Sequence, residues 1–365
     1  MVDFRLVAWL SAAVLLFTPS LTSSIDKRAG TTARLSGGQI VMGAGTYPRA
    51  NFLQDGSIIG AYTASVNNNM IITAVHSTDG GNTWNEIGTV AQADASTHDL
   101  DNPYPFQLPS GRILMAMRNH DRTTDPGTGK VTYTFFRITI CYSDDGGTTW
   151  SYLSTPASDP GSVNGNWEPF LRMAEDNKTL QLYYSRENSR ADQDSLMRTS
   201  IDGGSTWSGA TVISGGDTTS TRDGMLGVTL ISGTNLIAVF ESIDTSVTNG
   251  HFGVYSVTSS DDGQTWGNRQ TVYAPDGFDA QSPQVTNVGG TLVCSFQTDE
   301  DLSAPDFSAE AGKIVTSGDG GATWGNKLTF SPAVSNWGGL LAIDDTSLFA
   351  LVDRSGAKAQ KVILA

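Results

Sequence analysis

Five stretches decide the fold: Ser77-Thr-Asp-Gly-Gly-Asn-Thr-Trp84, Ser143-Asp-Asp-Gly-Gly-Thr-Thr-Trp150, Ser200-Ile-Asp-Gly-Gly-Ser-Thr-Trp207, Ser259-Ser-Asp-Asp-Gly-Gln-Thr-Trp266 and Ser317-Gly-Asp-Gly-Gly-Ala-Thr-Trp324. All obey Ser-x-Asp-x-Gly-x-Thr-Trp without a mismatch, and successive starts lie 66, 57, 59 and 58 residues apart. Self-similarity at a fixed period marks a repeat architecture. Within the unit, Asp caps its own backbone and Gly accepts a positive φ, which makes a tight turn. The Ser or Thr hydroxyl bonds across that turn, and the Trp covers the hairpin end. Each octapeptide is therefore read as a structural hairpin turn, and its aspartate as neither catalytic nor metal-binding.

Between these turns the chain reads as short strands: Ser57–Tyr62, Arg112–Met117, Leu180–Tyr184, Leu236–Phe240 and Leu292–Phe296. Nothing of comparable length has a helical period. About 58 residues suffice for four strands, one blade of a β-propeller. Five turns mark five blades. Beyond Trp324, three further strands (Gly338–Ile343, Ser347–Val352 and Gln360–Leu364) lack a fourth, which Gly38–Met42 can supply. The expectation is an all-β, six-bladed propeller over residues 29–365, with four-stranded antiparallel blades. Its last blade is closed by both chain ends, which leaves no free sheet edge.

Composition narrows the function. The chain has 365 residues and a net charge of −15, with no long basic cluster after the N-terminus. Nucleic acid and anionic membranes are poor partners for such a surface, and a neutral substrate suits it. At the N-terminus, Arg5, the apolar run Leu6 to Phe17 and the dibasic Lys27-Arg28 read as a secretory signal and short propeptide over residues 1–28. Secretion, a mature start near Ala29 and a monomer are expected. Asn177-Lys178-Thr179 is a glycosylation sequon. Cys141 and Cys294 fall in different repeats and are read as small buried residues. No Cys/His spacing suggests zinc, and no metal or cofactor is expected.

Boxes of this kind in a six-bladed propeller resemble the sialidase superfamily, and Tyr47-Pro-Arg-Ala50 with Leu53-Gln-Asp-Gly-Ser57 looks like its first-blade arginine motif. Sialidases use a tyrosine nucleophile near the chain end and three arginines on the substrate carboxylate. Here the last tyrosine is Tyr273, and Arg354 is the only arginine after Arg269, which disfavours that activity. Asn164-Gly-Asn-Trp-Glu-Pro-Phe170, Ala238-Val-Phe-Glu-Ser-Ile243 and His98-Asp-Leu-Asp-Asn-Pro-Tyr104 resemble the acidic motifs of glycoside hydrolase family 93 instead. That resemblance implies a fungal-type exo-α-1,5-L-arabinanase releasing arabinobiose from the arabinan of pectin. A non-catalytic propeller that binds carbohydrate or protein is the other class left open.

Glycoside hydrolysis needs two carboxyl groups across one bond, one protonated and one ionised. Glu168, between Trp167 and Pro169, is the expected general acid/base, because an apolar wall raises a carboxyl pKa. Glu241, at the end of a buried strand facing the central funnel, is the expected nucleophile by resemblance to the sialidase plan, in which a fourth-blade glutamate lies under the reacting carbon beside the tyrosine missing here; the exchange of the two roles is the alternative left open. This pairing implies retention, with the carboxyls about 5–5.5 Å apart against about 6.5–9.5 Å for inversion. Arg49, Asp101, Asn102, Tyr104, Arg118, Trp167, Tyr184, Arg222 and Asp223 are the candidate substrate contacts, with Arg222 and Asp223 read as a paired clamp on a furanose hydroxyl. His98 and His120 lie close to this set and are expected to be exposed loop histidines.

Overall fold

The computed structural model describes residues 31–216, 221–243 and 250–365. The N-terminal segment read as a secretory signal lies outside the described residues. The described chain forms six four-stranded antiparallel sheets arranged as a six-bladed propeller. The inner strands, in blade order, are Thr46–Phe52, His98–Gln107, Gly165–Met173, Gly224–Ser232, Ala280–Val288 and Asn336–Asp344. They contact one another in sequence around the ring, the sixth returning to the first. The expected strands of blades one to five are each the second strand of their sheet.

Both chain ends build the sixth blade, as the count of strands requires. Its outer strand is Ala33–Gly43, paired antiparallel with the C-terminal strand Ala357–Leu364. The apolar core is split into layers between neighbouring sheets rather than gathered in one mass. One layer joins Phe349 and Leu351 of blade six to Ile58 and Tyr62 of blade one, across the seam where the ring closes. Another joins Leu114 and Ile138 of blade two to Leu171 and Tyr184 of blade three. Cys141 lies in blade two and Cys294 in blade five, both buried as free thiols.

The box turns repeat one hydrogen-bond set. In the first, Ser77 Oγ donates to Asp79 Oδ1 (2.9 Å) and accepts from Gly81 N–H (2.9 Å). Thr83 donates its N–H and its hydroxyl to the two Asp79 oxygens, and Trp84 Nε1 donates to Gly81 O at 3.1 Å. The threonine hydroxyl and then its N–H hold the carboxylates of Asp79, Asp145, Asp202 and Asp261 down at about 2. These aspartates are spent on their own turns, as the motif implies.

Each box also seats on the blade before it. A Cβ at Gly81 would lie 2.3 Å from the Phe349 ring of blade six, and one at Gly321 would lie 2.7 Å from Ile237 of blade four. Gly147 faces Ile59 of blade one, and Gly204 faces Leu114 of blade two. The glycine is needed twice, for its positive φ of 85° at Gly81 and for the close approach. Gly80 also has a positive φ, of 68°, but nothing lies within 4 Å of its Cβ position. Gly81→Ala adds overpacking of roughly 1–3 kcal/mol to the backbone strain that both positions share. We therefore expect Gly81→Ala to lower the thermal midpoint by several degrees more than Gly80→Ala, measured side by side by calorimetry.

Candidate functional site

Every inner strand carries a bulge at the same level. Pairing with the second strand skips two residues after Thr46, Asp101, Trp167, Gly224, Gln281 and Asn336. The first residue of each bulge is left-handed: Tyr47 (φ 55°), Asn102 (53°), Glu168 (45°), Met225 (54°), Ser282 (55°) and Trp337 (56°). Proline follows in four of the six, at Pro48, Pro103, Pro169 and Pro283. It removes the N–H that a ladder would need and biases the preceding residue away from the helical region. Left-handed non-glycine residues cost of order 1–3 kcal/mol each and cluster at functional sites. Here they form a ring at one level of the six inner strands, where bulges re-aim the side chains.

Glu168 is the blade-three member of this ring. It is half-buried, and its Oε2 has no protein hydrogen-bond partner. Burial, reinforced by the charge of Glu241, pushes its carboxyl up to about 8 against the opposing pull of Arg118 and Arg49. Glu241 lies at the same level on the second strand of blade four, opposite Gly224, and is buried. Its Oε2 accepts the Ser282 N–H at 2.7 Å. Burial raises Glu241 to about 7, while that N–H and the Arg222 charge oppose the rise. A half-buried and a buried carboxyl from adjacent blades are thus electrostatically coupled. A charge on Glu241 helps Glu168 keep its proton.

The other candidates fall into three groups. Arg49, Asp101 and Arg118 act by charge on Glu168 and Arg222 on Glu241, while Asn102 and Trp167 lie at the bulge level beside them. Arg49 donates Nη1 to Pro48 O (2.8 Å) and Trp337 O (3.0 Å), and its Nη2 is buried without a partner. Gly339 permits this reach, since a Cβ there would lie 3.0 Å from Arg49 Nη1. Asn102 is buried with its Oδ1 unpartnered. Arg118 is held by Asp99 (3.0 Å) and Asp101 (3.2 Å), and its guanidinium lies 5.0 Å from the Trp167 ring. Arg222 pairs with Glu187 at 2.6 Å and donates to Gln193 at 3.0 Å.

Tyr104 lies below the ring. Its side chain lines a central cavity of about 240 Å³ with Phe170, Gln284 and Leu341, and its ring centroid is 4.5 Å from that of Phe170.

Three residues depart from the expectation. Tyr184 is buried in the layer between blades two and three, its hydroxyl accepting from Arg198 Nε at 3.2 Å. Strand alternation puts its neighbour Ser185, not Tyr184, opposite Trp167 at the bulge level. Asp223 is fully buried and receives Arg269 Nη2 at 3.0 Å together with the hydroxyls of Ser214 and Thr221. It holds outer strands together and forms no clamp with Arg222. His120 is fully buried, not exposed. Its Nε2 lies 2.7 Å from Asn166 O, and burial followed by the Arg118 charge pushes it down to about 3. A neutral imidazole therefore braces the segment leading to Glu168. His98 is half-exposed, 3.8 Å from Asp121. Asn177 is exposed on the turn between the first two strands of blade three.

Sequence reasoning missed Tyr47, Trp337 and Glu310. The X-Pro pair ahead of four of the five boxes was the signal for the ring, and it does not mark Met225 or Trp337. Tyr47 is buried 4.0 Å from the Arg49 guanidinium, and burial drives its phenol far above neutrality. Glu310 lies in the loop after the second strand of blade five and has no counterpart in the repeat.

With this geometry in place, solved structures can be set beside it. The family 93 α-L-arabinofuranosidase of Fusarium graminearum, in complex with arabinobiose, superposes at a TM-score of 0.69 and 21% identity, over 90% of this chain and 98% of that one. The fold is that of the sialidase-like propellers. The α-L-arabinanase of Penicillium chrysogenum, also with arabinobiose, gives 0.67 at 19% identity over 91% and 98%. The NanB sialidase of Streptococcus pneumoniae gives 0.57 at 11% identity over 90% and 69%. The family resemblance read from the acidic motifs thus meets the same enzymes among the structural neighbours. No family model and no curated protein matches the chain. Arabinan-directed and sialoside-directed enzymes share this sialidase-like frame, so the frame does not choose the chemistry and the site must.

The raised carboxyl of Glu168 has a consequence for stability. An unfolded glutamate ionises near its ordinary value of 4.5, while the folded one holds its proton to about 8. Between these values the unfolded chain alone releases a proton, so folding loses stability as pH rises. Glu168→Gln removes that loss. We expect the variant to match wild type near pH 4 and to exceed it by on the order of a few kcal/mol at pH 8, read as thermal midpoints across pH.

Proposed function

We propose that this protein is a secreted, retaining glycoside hydrolase acting as an exo-α-1,5-L-arabinanase, which releases arabinobiose from the non-reducing end of linear arabinan. The observation that carries the reading is the pair Glu168 and Glu241, two carboxyls from adjacent blades at the level of the bulges, both raised by burial and the charge of one felt by the other. Glu241, whose charged form is favoured by the Ser282 N–H, attacks the anomeric carbon. Glu168, still protonated, gives its proton to the departing glycosidic oxygen. A glycosyl-enzyme ester forms as the C–O bond to the leaving sugar breaks. Glu168, now ionised, takes a proton from the water that opens the ester, and configuration is retained. Asn102 and the free nitrogen of Arg49 are the contacts proposed for sugar hydroxyls.

A sialidase reading is weaker on charge. Arg118 and Arg222 are already paired with carboxylates. Tyr273 bonds Glu300 and Lys327, far from the bulge ring on the outer strand of blade four. The test is incubation with linear arabinan and with a sialoside. Arabinobiose whose first-formed anomer is α, seen by NMR, supports the proposal, whereas sialic acid or no product overturns it. Glu168→Ala is expected to cost roughly 10²–10⁴-fold on arabinan. It should cost far less on an aryl α-L-arabinobioside, whose phenolate leaves without a proton. Glu241→Ala should abolish turnover of both.

A further inference from the structure

A third carboxyl stands beside the site with no role in the chemistry just described. Glu310 is fully buried. Its Oε1 accepts Gln281 Nε2 at 2.7 Å, and its Oε2 accepts Gln297 Nε2. Its backbone carbonyl accepts Ser335 N–H at 2.9 Å. Both glutamines lead directly to the bulge ring. Gln281 immediately precedes Ser282, whose N–H is the donor on Glu241. Gln297 turns its own Oε1 to the N–H of Trp337 at 2.8 Å. One carboxyl therefore ties the blade-five bulge to the blade-six bulge, in a region where neither has a regular ladder to hold it.

We propose that Glu310 is a positioning residue, acting through Gln281 to keep the Ser282 N–H aimed at the Glu241 carboxylate. This rests on Glu241 being the nucleophile proposed above, but the physical link does not require turnover. A backbone N–H on a carboxylate favours its charged form, so a loosened donor raises the pKa of the acceptor. Other charges facing Glu241 are Arg222, which favours its ionisation, and Asp279, which opposes it. The Glu168 and Glu310 carboxyls both feel its charge. Around Glu310 the remaining charged group is Asp299. Burial and these neighbours keep Glu310 protonated up to about 8. Deleting a negative charge beside Glu241 would lower its pKa, so a rise on removing Glu310 reports the lost tie.

The experiment uses the full-length protein, wild type against Glu310→Ala and Glu310→Gln. Glutamine keeps one carbonyl acceptor but sets its amide against a second amide, so it restores one tie at most. The first readout is the pH dependence of kcat/KM on linear arabinan. We expect the acidic limb to move up by about half a pH unit or more in Glu310→Ala, with kcat falling several-fold and KM little changed, and Glu310→Gln falling between. The second readout is carbon-13 NMR titration of the Glu241 carboxyl, assigned with Glu241→Gln, and its midpoint is expected to rise by the same amount. A merely structural role would lower the thermal midpoint and leave both titrations in place. An active wild type with an unmoved limb and an unmoved NMR midpoint overturns the positioning role. An inactive wild type overturns the hydrolase reading, and the NMR midpoint alone then decides for or against Glu310.

Discussion

The ring exists because each Asp-box turn seats itself on the blade before it. A single four-stranded sheet has two apolar faces and cannot bury either alone. The box solves this locally: Ser, Asp and Thr satisfy the turn from within, which frees its second glycine to press against the neighbouring second strand. The contact of Gly81 with Phe349 is the box contact between blade one and blade six. It works together with the pairing of Ala33–Gly43 on Ala357–Leu364. Rigidity is thus placed at the rim of the molecule, in turns and outer strands.

That placement is what lets the inner strands carry strain. Six left-handed residues at one level would be costly in an isolated sheet, each at of order 1–3 kcal/mol. In a closed ring the surrounding blades over-determine them. The same closure dehydrates the funnel, which raises Glu168, Glu241 and Glu310 together. Buried acids held near neutrality are unfavourable for folding and useful for proton transfer. Stability is spent at the axis and recovered at the rim.

Much of this was legible in the residues. The five boxes led to the blade count, the second strands and the closure by both termini. The two acidic motifs led to Glu168 and Glu241, because a Trp-Glu-Pro segment and a strand-end glutamate are local features. Legibility ended where partners are distant in sequence or where pleat parity decides. Asp223 reads like an exposed loop acid until Arg269 and Ser214 close on it. Tyr184 looks like a sugar platform, but it stands one residue from the bulge level and so faces the core. His120 sits next to polar residues in sequence, yet Phe136 and Trp167 pack against it from other strands. Glu310 follows a 3₁₀ turn in a loop that the described residues of the other blades do not repeat, so periodicity had nothing to say about it.

The charges at the funnel bear on what it can accept. Arg118 spends its charge on Asp99 and Asp101, and Arg222 spends its own on Glu187. Bringing a substrate carboxylate in would mean competing with those acids, beside two glutamates and under a net charge of −15. A neutral sugar meets no such contest. It can take the free Arg49 nitrogen as a donor and the free Asn102 oxygen as an acceptor, and both are buried polar atoms whose desolvation is already costed into the fold. A hydroxyl, which gives one hydrogen bond and receives others, fits that pair better than an anion, which can only receive. The pairing of these arginines, more than their number, is therefore what weighs against an anionic substrate at this site.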